Sequence, residues 1–266
     1  MKYGFIGSGN MGGALATAVS KAVNSADVLI SDMNRQKAED LAVKIGATVV
    51  STEELVAEAD FIFLGVKPQY LADLCKEIKP YIEKRNRRFV LVSMIAGTSI
   101  QDIKNLTRMD APVIRIAPNT PVAIGEGIVL YTGSFEVTAE EKEAFVNCLS
   151  EAGLVTEIPE NLHAIGLTLG GCGPAFVDLF VEALSDGAVA CGLPRGQAIA
   201  IASQMVVGSA KLLLESGKHP GELKDAVCSP GGTTIQGVRV LEEKGFRGIA
   251  MDALIAAYEK NFNLKK

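Results

Sequence analysis

Along the first 160 residues, short apolar runs alternate with stretches of about ten residues whose apolar positions recur at helical spacing. "KYGFIG", "DVLIS", "ATVV", "DFIFLGV", "FVLVSMI" and "PVIRIAP" read as strands, and "GIVLY" and "VTEIP" as two late ones. Between them "VKIG" closes a helix and "STEELVAEA" forms another, opened by Ser51 or Thr52 as its cap. Apolar strands alternating with helices predict an α/β fold with a parallel, doubly wound sheet.

After about Pro159 the pattern changes to helices alone. "GPAFVDLFVEALSDGAVACG" reads as one long helix with Pro174 near its first turn and Gly192 at its end. "LPRGQAIAIASQMVVGSAKLLLES" is a second, "PGELKDAV" a short third, and two more follow "SPGG". The chain therefore divides into a Rossmann-type domain over 1–160 and an all-α domain over 161–266. The second part carries more apolar surface than a slim bundle of ~100 residues buries alone, which predicts a homodimer with interleaved helices. A monomeric bundle packed on the first domain is the alternative.

Composition narrows the class. Of 266 residues 48% are hydrophobic and 21% charged, as in ordinary soluble globular proteins. The net charge of −5 is interleaved along the chain, and Trp is absent, so neither a basic stripe nor a stacking platform for nucleic acid is expected. The five cysteines are odd in number and irregular in spacing, which suits free thiols in a reducing cytoplasm. The chain enters a strand at once, so no leader is expected, and its apolar runs are broken before ~18 residues, so no membrane span is expected either.

The chemistry begins at the first strand. Gly7, Gly9 and Gly12 fit G-x-G-x-x-G at a strand-to-helix junction. Such glycines allow a tight turn, close approach of a pyrophosphate and close helix packing, with the helix N-terminus facing the phosphates. Asp32 follows the second strand, where an acid accepts the ribose 2′-hydroxyl of NAD. Ser31, Asn34, Arg35 and Lys37 lie beside it and suit the 2′-phosphate of NADP, so the pattern leaves the choice open. Lys67-Pro68 and Ala117 to Pro121 leave strands at their carboxyl ends, the edge where such sheets bind ligands.

A second anion site is expected at "CSPGGTT", Cys228 to Thr234. Pro230 stops one helix, Gly231-Gly232 turns the backbone, and Thr233 or Thr234 starts the next. Unpaired N–H groups and hydroxyls then converge, a nest that suits a small carboxylate. A reductase acting on a ketone needs a proton donor for the alkoxide. Yet no Lys occurs between Lys142 and Lys211, the second half has one tyrosine, Tyr258, and the only histidines are His163 and His219. Neither histidine has partners at metal-ligand spacing, so no metal is expected. An imine is protonated before hydride arrives and needs only orientation, which a hydroxyl such as Thr234 supplies. The shortage of acids thus points to C=N reduction.

These residues carry a resemblance. "GFIGSGNMGGAL", "VKPQ", "APNTP", "GGCGPAF", "GLPRGQA" and above all "HPGELKDAVCSPGGTTIQGVRVLEEKGFR" make the chain similar to pyrroline-5-carboxylate reductases over nearly its full length. The resemblance implies reduction of 1-pyrroline-5-carboxylate to L-proline with NADPH (NADP), with NADH (NAD) also accepted. It implies a Rossmann domain followed by an all-α dimerisation domain, and homodimers that assemble by fives into decamers. It places the cofactor on Gly7, Ser8, Gly9, Asn10, Met11 and Gly12, with Ser31, Asp32, Asn34, Arg35 and Thr52 at the adenosine end. Val66, Lys67 and Pro68 would lie along the cofactor and Asn119 near the nicotinamide. Ser229, Gly231, Gly232 and Thr233 would hold the substrate carboxylate, and the Thr234 hydroxyl would reach the ring nitrogen. The family's Ser-Gly-Ser-Gly-Pro reads Gly170-Gly171-Cys172-Gly173-Pro174 here, and Ala117 stands where Met is common. A hydroxy-acid oxidoreductase, which would want a lysine in the first long helix, and a non-catalytic dinucleotide sensor are the alternatives.

Overall fold

The computed structural model describes residues 1–108 and 110–263. The chain forms two compact units, Met1–Gly171 and Cys172–Leu264. In the first, the order is β1 (Tyr3–Ile6), α1 (Asn10–Ala22), β2 (Val28–Ser31), α2 (Arg35–Ile45), β3 (Thr48–Val49), α3 (Thr52–Glu58) and β4 (Phe61–Leu64). It continues through α4 (Leu71–Glu83), β5 (Val90–Ser93), α5 (Ile100–Thr107), β6 (Val113–Pro118), β7 (Gly127–Gly133), α6 (Ala139–Cys148) and β8 (Gly153–Glu157). These eight strands make one sheet in the order β3-β2-β1-β4-β5-β6-β7-β8. Every pair is parallel except β6 with β7.

The continuous apolar strands follow from burial on both faces. Phe61 and Phe63 of β4 face one core with Phe5, Leu15, Val19 and Phe145, so α1 and α6 cover that side. Ile62 and Leu64 face the other with Leu55, Ile78 and Ile103, so α3, α4 and α5 cover the opposite side. The Phe5 and Phe63 rings stack at 4.3 Å between β1 and β4. Local chemistry fixes the helix starts. Ser51 with Glu54, Ser99 with Asp102 and Thr138 with Glu141 each form a reciprocal capping box. Of the two expected caps for α3, Ser51 takes the role. The third strand is shorter than "ATVV" suggests, two residues at the sheet edge.

The helical part contains α7 (His163–Ala190), α8 (Arg195–Ser216), α9 (Pro220–Ala226), α10 (Thr233–Glu243) and α11 (Phe246–Asn263). Here the sequence reading needs correcting. The long helix starts at His163 rather than near Pro174, which lies in its interior. Two glycines in its first turns serve close packing: a Cβ on Gly166 would fall 2.4 Å from Leu130 Cδ1, and one on Gly170 3.0 Å from Ile128 Cγ2. Spaced by one helical turn, both glycines let the helix lie close on β7. The helix before the nest ends at Ala226, four residues short of Pro230. By composition and length alone, α7 with its preceding turn and α8 are long and apolar enough to cross a membrane.

The second unit has almost no interior of its own. Among the described residues its buried hydrophobic side chains are Ala198 and Ala202. Phe176 and Leu179 of α7, Ile201 and Leu214 of α8, and Ile249 and Met251 of α11 stand exposed.

Candidate active site

The strand order reverses at β1, which lies between β2 and β4. In open α/β sheets the crevice at the carboxyl end of such strands is where ligands bind. Gly7 leaves β1 at φ +104°, a left-handed conformation, and its N–H donates to Ser31 O at 2.8 Å. A Cβ on Gly12 would sit 2.2 Å from Gly7 O. A Cβ on Gly9 would meet nothing within 4 Å, and no side chain caps α1 at Gly9. The turn is therefore tight on its inner side and open on its outer side, with first-turn N–H groups and the helix dipole facing the opening. That is the shape and polarity a pyrophosphate requires. Ser8, Asn10 and Met11 belong to the same turn.

Gly65, directly after β4, completes this junction and has no counterpart in the motif. A Cβ there would lie 2.8 Å from Gly7 O, and Gly65 N–H donates to Ile6 O. The signal for it in the sequence is a glycine ending the strand that pairs with the motif's own strand. Val66, Lys67 and Pro68 follow it, and Lys67 opens a short 3₁₀ turn over Pro68–Tyr70.

At the end of β2, Asp32 Oδ2 accepts hydrogen bonds from Ser8 N–H at 2.6 Å and Ser8 Oγ at 2.8 Å. Its Oδ1 accepts from Asn34 N–H at 2.8 Å. Burial pushes the Asp32 carboxyl up, but these donors, together with Lys37, outweigh it and hold the carboxyl below its ordinary range. Ser31 Oγ and Thr52 Oγ1 share a hydrogen bond of 3.0 Å. Arg35 pairs within its own helix. Its Nε donates to Glu39 Oε1 at 2.8 Å along its own helix, and its side chain is 83% exposed. Asn34 caps α2 with its side chain.

Asn119, expected beside the nicotinamide, has its amide engaged at both ends. Oδ1 accepts from Ile128 N–H at 2.8 Å, and Nδ2 donates to Gly170 O at 3.0 Å. The second bond has a cause in the sequence. Gly170 O would accept from residue 174 in a regular helix, but Pro174 has no N–H to give. Asn119 supplies the missing donor.

In the second unit, the stretch from Ser229 to Thr234 forms one turn. Gly231 is left-handed at φ +69°, and Gly232 N–H donates to Ser229 O at 3.0 Å. A Cβ on Gly232 would sit 2.3 Å from Ser229 Oγ, so glycine there leaves room for that hydroxyl. Gly232 caps α10 without a side-chain partner, and Thr233 and Thr234 are its first two residues, both exposed. The first-turn N–H groups of α10 and the Ser229 hydroxyl thus lie around one turn, an arrangement suited to a carboxylate. All five cysteines are free thiols. Among the described residues no group of three or more His, Cys, Asp or Glu could hold a metal ion.

Comparison with known proteins gives a consistent result. Residues 160–264 match the family model described as pyrroline-5-carboxylate reductase dimerisation. Residues 2–97 match the one described as NADP oxidoreductase, coenzyme F420-dependent. The chain is 38% identical to pyrroline-5-carboxylate reductase of Escherichia coli over 271 residues, covering 100% of this chain and 98% of that protein. It is 37% identical to that of Arabidopsis thaliana, with coverage of 100% and 96%. Among solved structures, the Plasmodium falciparum pyrroline carboxylate reductase with NADP bound is similar at a TM-score of 0.82, with 31% identity over 98% of this chain and 97% of that one. A Coxiella burnetii pyrroline-5-carboxylate reductase is similar at 0.93, with 26% identity and coverage of 100% and 98%.

Proposed function

The chain belongs to the pyrroline-5-carboxylate reductases, and from that premise we propose how its residues divide the reduction of 1-pyrroline-5-carboxylate to L-proline by NAD(P)H. The reaction adds a hydride to the carbon of a protonated C=N bond. The π pair of that bond withdraws to nitrogen, which keeps the proton it arrived with, and the products are L-proline and NAD(P)⁺. The bound dinucleotide supplies the hydride. The protein's residues have to bind, orient and shield.

Gly7 to Gly12 hold the pyrophosphate, with Ser8, Asn10 and Met11 in the turn. Ser31, Asp32, Asn34, Arg35 and Thr52 surround the adenosine ribose, and Val66, Lys67 and Pro68 flank the cofactor. Asn119 serves the nicotinamide end as a positioning residue, because its amide already bridges Ile128 N–H and Gly170 O. Ser229, Gly231, Gly232 and Thr233 receive the substrate carboxylate. The Thr234 hydroxyl orients the ring nitrogen and is the catalytic residue of this reading. The observation that carries it is the uncapped start of α10, where Gly231 and Gly232 leave backbone donors and the Ser229 hydroxyl around one turn. A hydroxy-acid reductase would need a proton donor that the stretch between Lys142 and Lys211 does not offer as lysine.

The domain that binds the dinucleotide is taken as residues 1–160 and the substrate and dimerisation domain as 161–266, five such dimers assembling into a decamer. The cytoplasm is the compartment that suits five free thiols.

The test is NAD(P)H oxidation that depends on pyrroline-5-carboxylate. Thr234→Ala should lower kcat and kcat/KM together by about one to two orders of magnitude, the cost of one hydrogen bond to a charged iminium. Ser229→Ala should act chiefly on KM for the substrate, because a carboxylate contact is much the same in ground and transition states. Normal kcat in Thr234→Ala would remove that residue from the mechanism, and folded wild-type protein without turnover on either cofactor would remove the reading altogether.

A further inference from the structure

We propose that this chain carries a further anion site, for a small phosphate-class anion, in a hollow between α3 and the end of α4. The hollow measures about 270 Å³ and is lined chiefly by Tyr81, Lys84, Arg85, Asn86 and Arg87, with Glu53 on its α3 side. It opens at the amino edge of the sheet, where Asp60 and Arg87 lead into β4 and β5, whereas Gly7 leaves β1 at the carboxyl edge.

Its centre is Arg85, which is held by neutral groups. Nε donates to Arg87 O at 2.9 Å, Nη2 to Arg88 O at 3.2 Å and Nη1 to Val56 O. The guanidinium carbon lies 5.2 Å from the centre of the Phe89 ring. Three bonds leave two of the five N–H groups of the fork unused. No carboxylate bonds to Arg85, whereas its neighbours Arg87 and Arg88 pair with Asp60 and Glu141. Burial presses the Arg85 pKa down, opposed by Asp60 and aided by Arg87. A half-buried cation is thus fixed in place, while the nearest acid is committed to another arginine.

The surrounding charges are taken up in pairs. Lys2 pairs with Glu58, Lys79 with Glu83 and Arg87 with Asp60. Among the described residues the side chains of Lys84 and Glu53 have no such partner, so the wall keeps two cations, Lys84 and Arg85, against one acid, Glu53. The Lys84 ammonium brings three more donors, the Asn86 amide two and the Tyr81 hydroxyl one. Excess positive charge with several N–H and O–H donors is the chemistry that recognises an oxyanion. Because carbonyls already hold the Arg85 fork, binding costs little further ordering there. The Tyr81 ring and the Ala57 methyl add apolar wall for a small organic group, so free phosphate and a phosphomonoester share this chemistry.

The test is calorimetric titration of inorganic phosphate and of glycerol phosphate into the protein holding NADPH and L-proline, which occupy the dinucleotide turn and the carboxylate nest. Chloride keeps the ionic strength constant. The wild type should bind at least one of the two anions saturably, with a Kd of about 1 mM or below. Tighter binding of the ester makes a phosphorylated metabolite the source, and tighter binding of phosphate the free ion; either upholds the site. Lys84→Gln should weaken binding by about tenfold, and Glu53→Gln, which removes a like charge, should tighten it by about two- to fivefold. No saturable binding by the wild type, heat that appears only when NADPH is left out, or unchanged affinity in Lys84→Gln at wild-type melting temperature overturns the proposal. If Lys84→Gln loses its fold, Glu53→Gln decides: tighter binding upholds the site, and unchanged or weaker binding overturns it.

Discussion

His163 is 1% exposed, and its Nε2 lies 2.7 Å from Thr132 Oγ1. That hydroxyl already donates to Ile158 O, so it accepts from a neutral imidazole protonated at Nε2. Burial lowers the imidazole's pKa to about 4, helped by Arg115 and opposed by Glu160. An unfolded histidine takes up its proton near pH 6.5. As the pH falls from about 6.5 toward 4, the unfolded chain is protonated and the folded one is not, so stability falls; above that window the residue contributes no pH dependence. The expected loss is roughly 3 kcal/mol by pH 4. Urea titrations at pH 7.5 and 4.5 should show a smaller difference for His163→Gln than for the wild type, and equal differences would assign the acid sensitivity to other groups. Legibility at this scale was uneven. Gly7, Gly9 and Gly12 were readable because their spacing is itself the geometry of a turn. Gly65 and the Ser8–Asp32 clasp were not, because they join residues from different strands, and only the parallel pairing of β1 with β2 and β4 brings them together.

Among the elements, α7 and the loop after β6 depend on each other. Pro174 deprives Gly170 O of its helical donor, and Asn119 restores one while holding Ile128 N–H with its other end. Asn119→Ala should therefore lose two hydrogen bonds and leave two polar backbone groups without those partners, at a cost of about 2–4 kcal/mol. Pro174→Ala gives Gly170 O a donor of its own, so the double substitution should recover part of the loss. A double-mutant cycle by chemical denaturation measures this coupling, and strict additivity would show that the proline and the amide are independent. The central strands were legible as apolar runs because α1 and α6 on one side and α3, α4 and α5 on the other bury both faces of the sheet. The full length of α7 was less legible, because Gly166 and Gly170 answer to the methyl groups of Leu130 and Ile128 on β7 rather than to helix propensity. Propensity gave way to packing there.

The whole molecule distributes its apolar surface unequally. The first unit holds two cores on either side of its sheet, whereas the second buries Ala198 and Ala202 and leaves the side chains of three long helices exposed. Residues 160–264 match a dimerisation family, which gives those faces their partner, a second copy. Sedimentation should return at least twice the 28.0 kDa chain mass, and the unfolding midpoint should rise with protein concentration. A monodisperse single chain with a concentration-independent midpoint would contradict this. The same inequality orders events during synthesis. Residues 1–171 leave the ribosome first and contain everything their own sheet needs, so that unit can close while translation continues. The apolar helices of the second unit follow it, and the exposed faces of α7, α8 and α11 fit a second copy. Maturation thus ends in an encounter between two polypeptides and is second order in nascent chain. Its yield depends on how closely neighbouring ribosomes on one message release their products, and a slow translator of this message would accumulate a folded half with a tail that chaperones must shield.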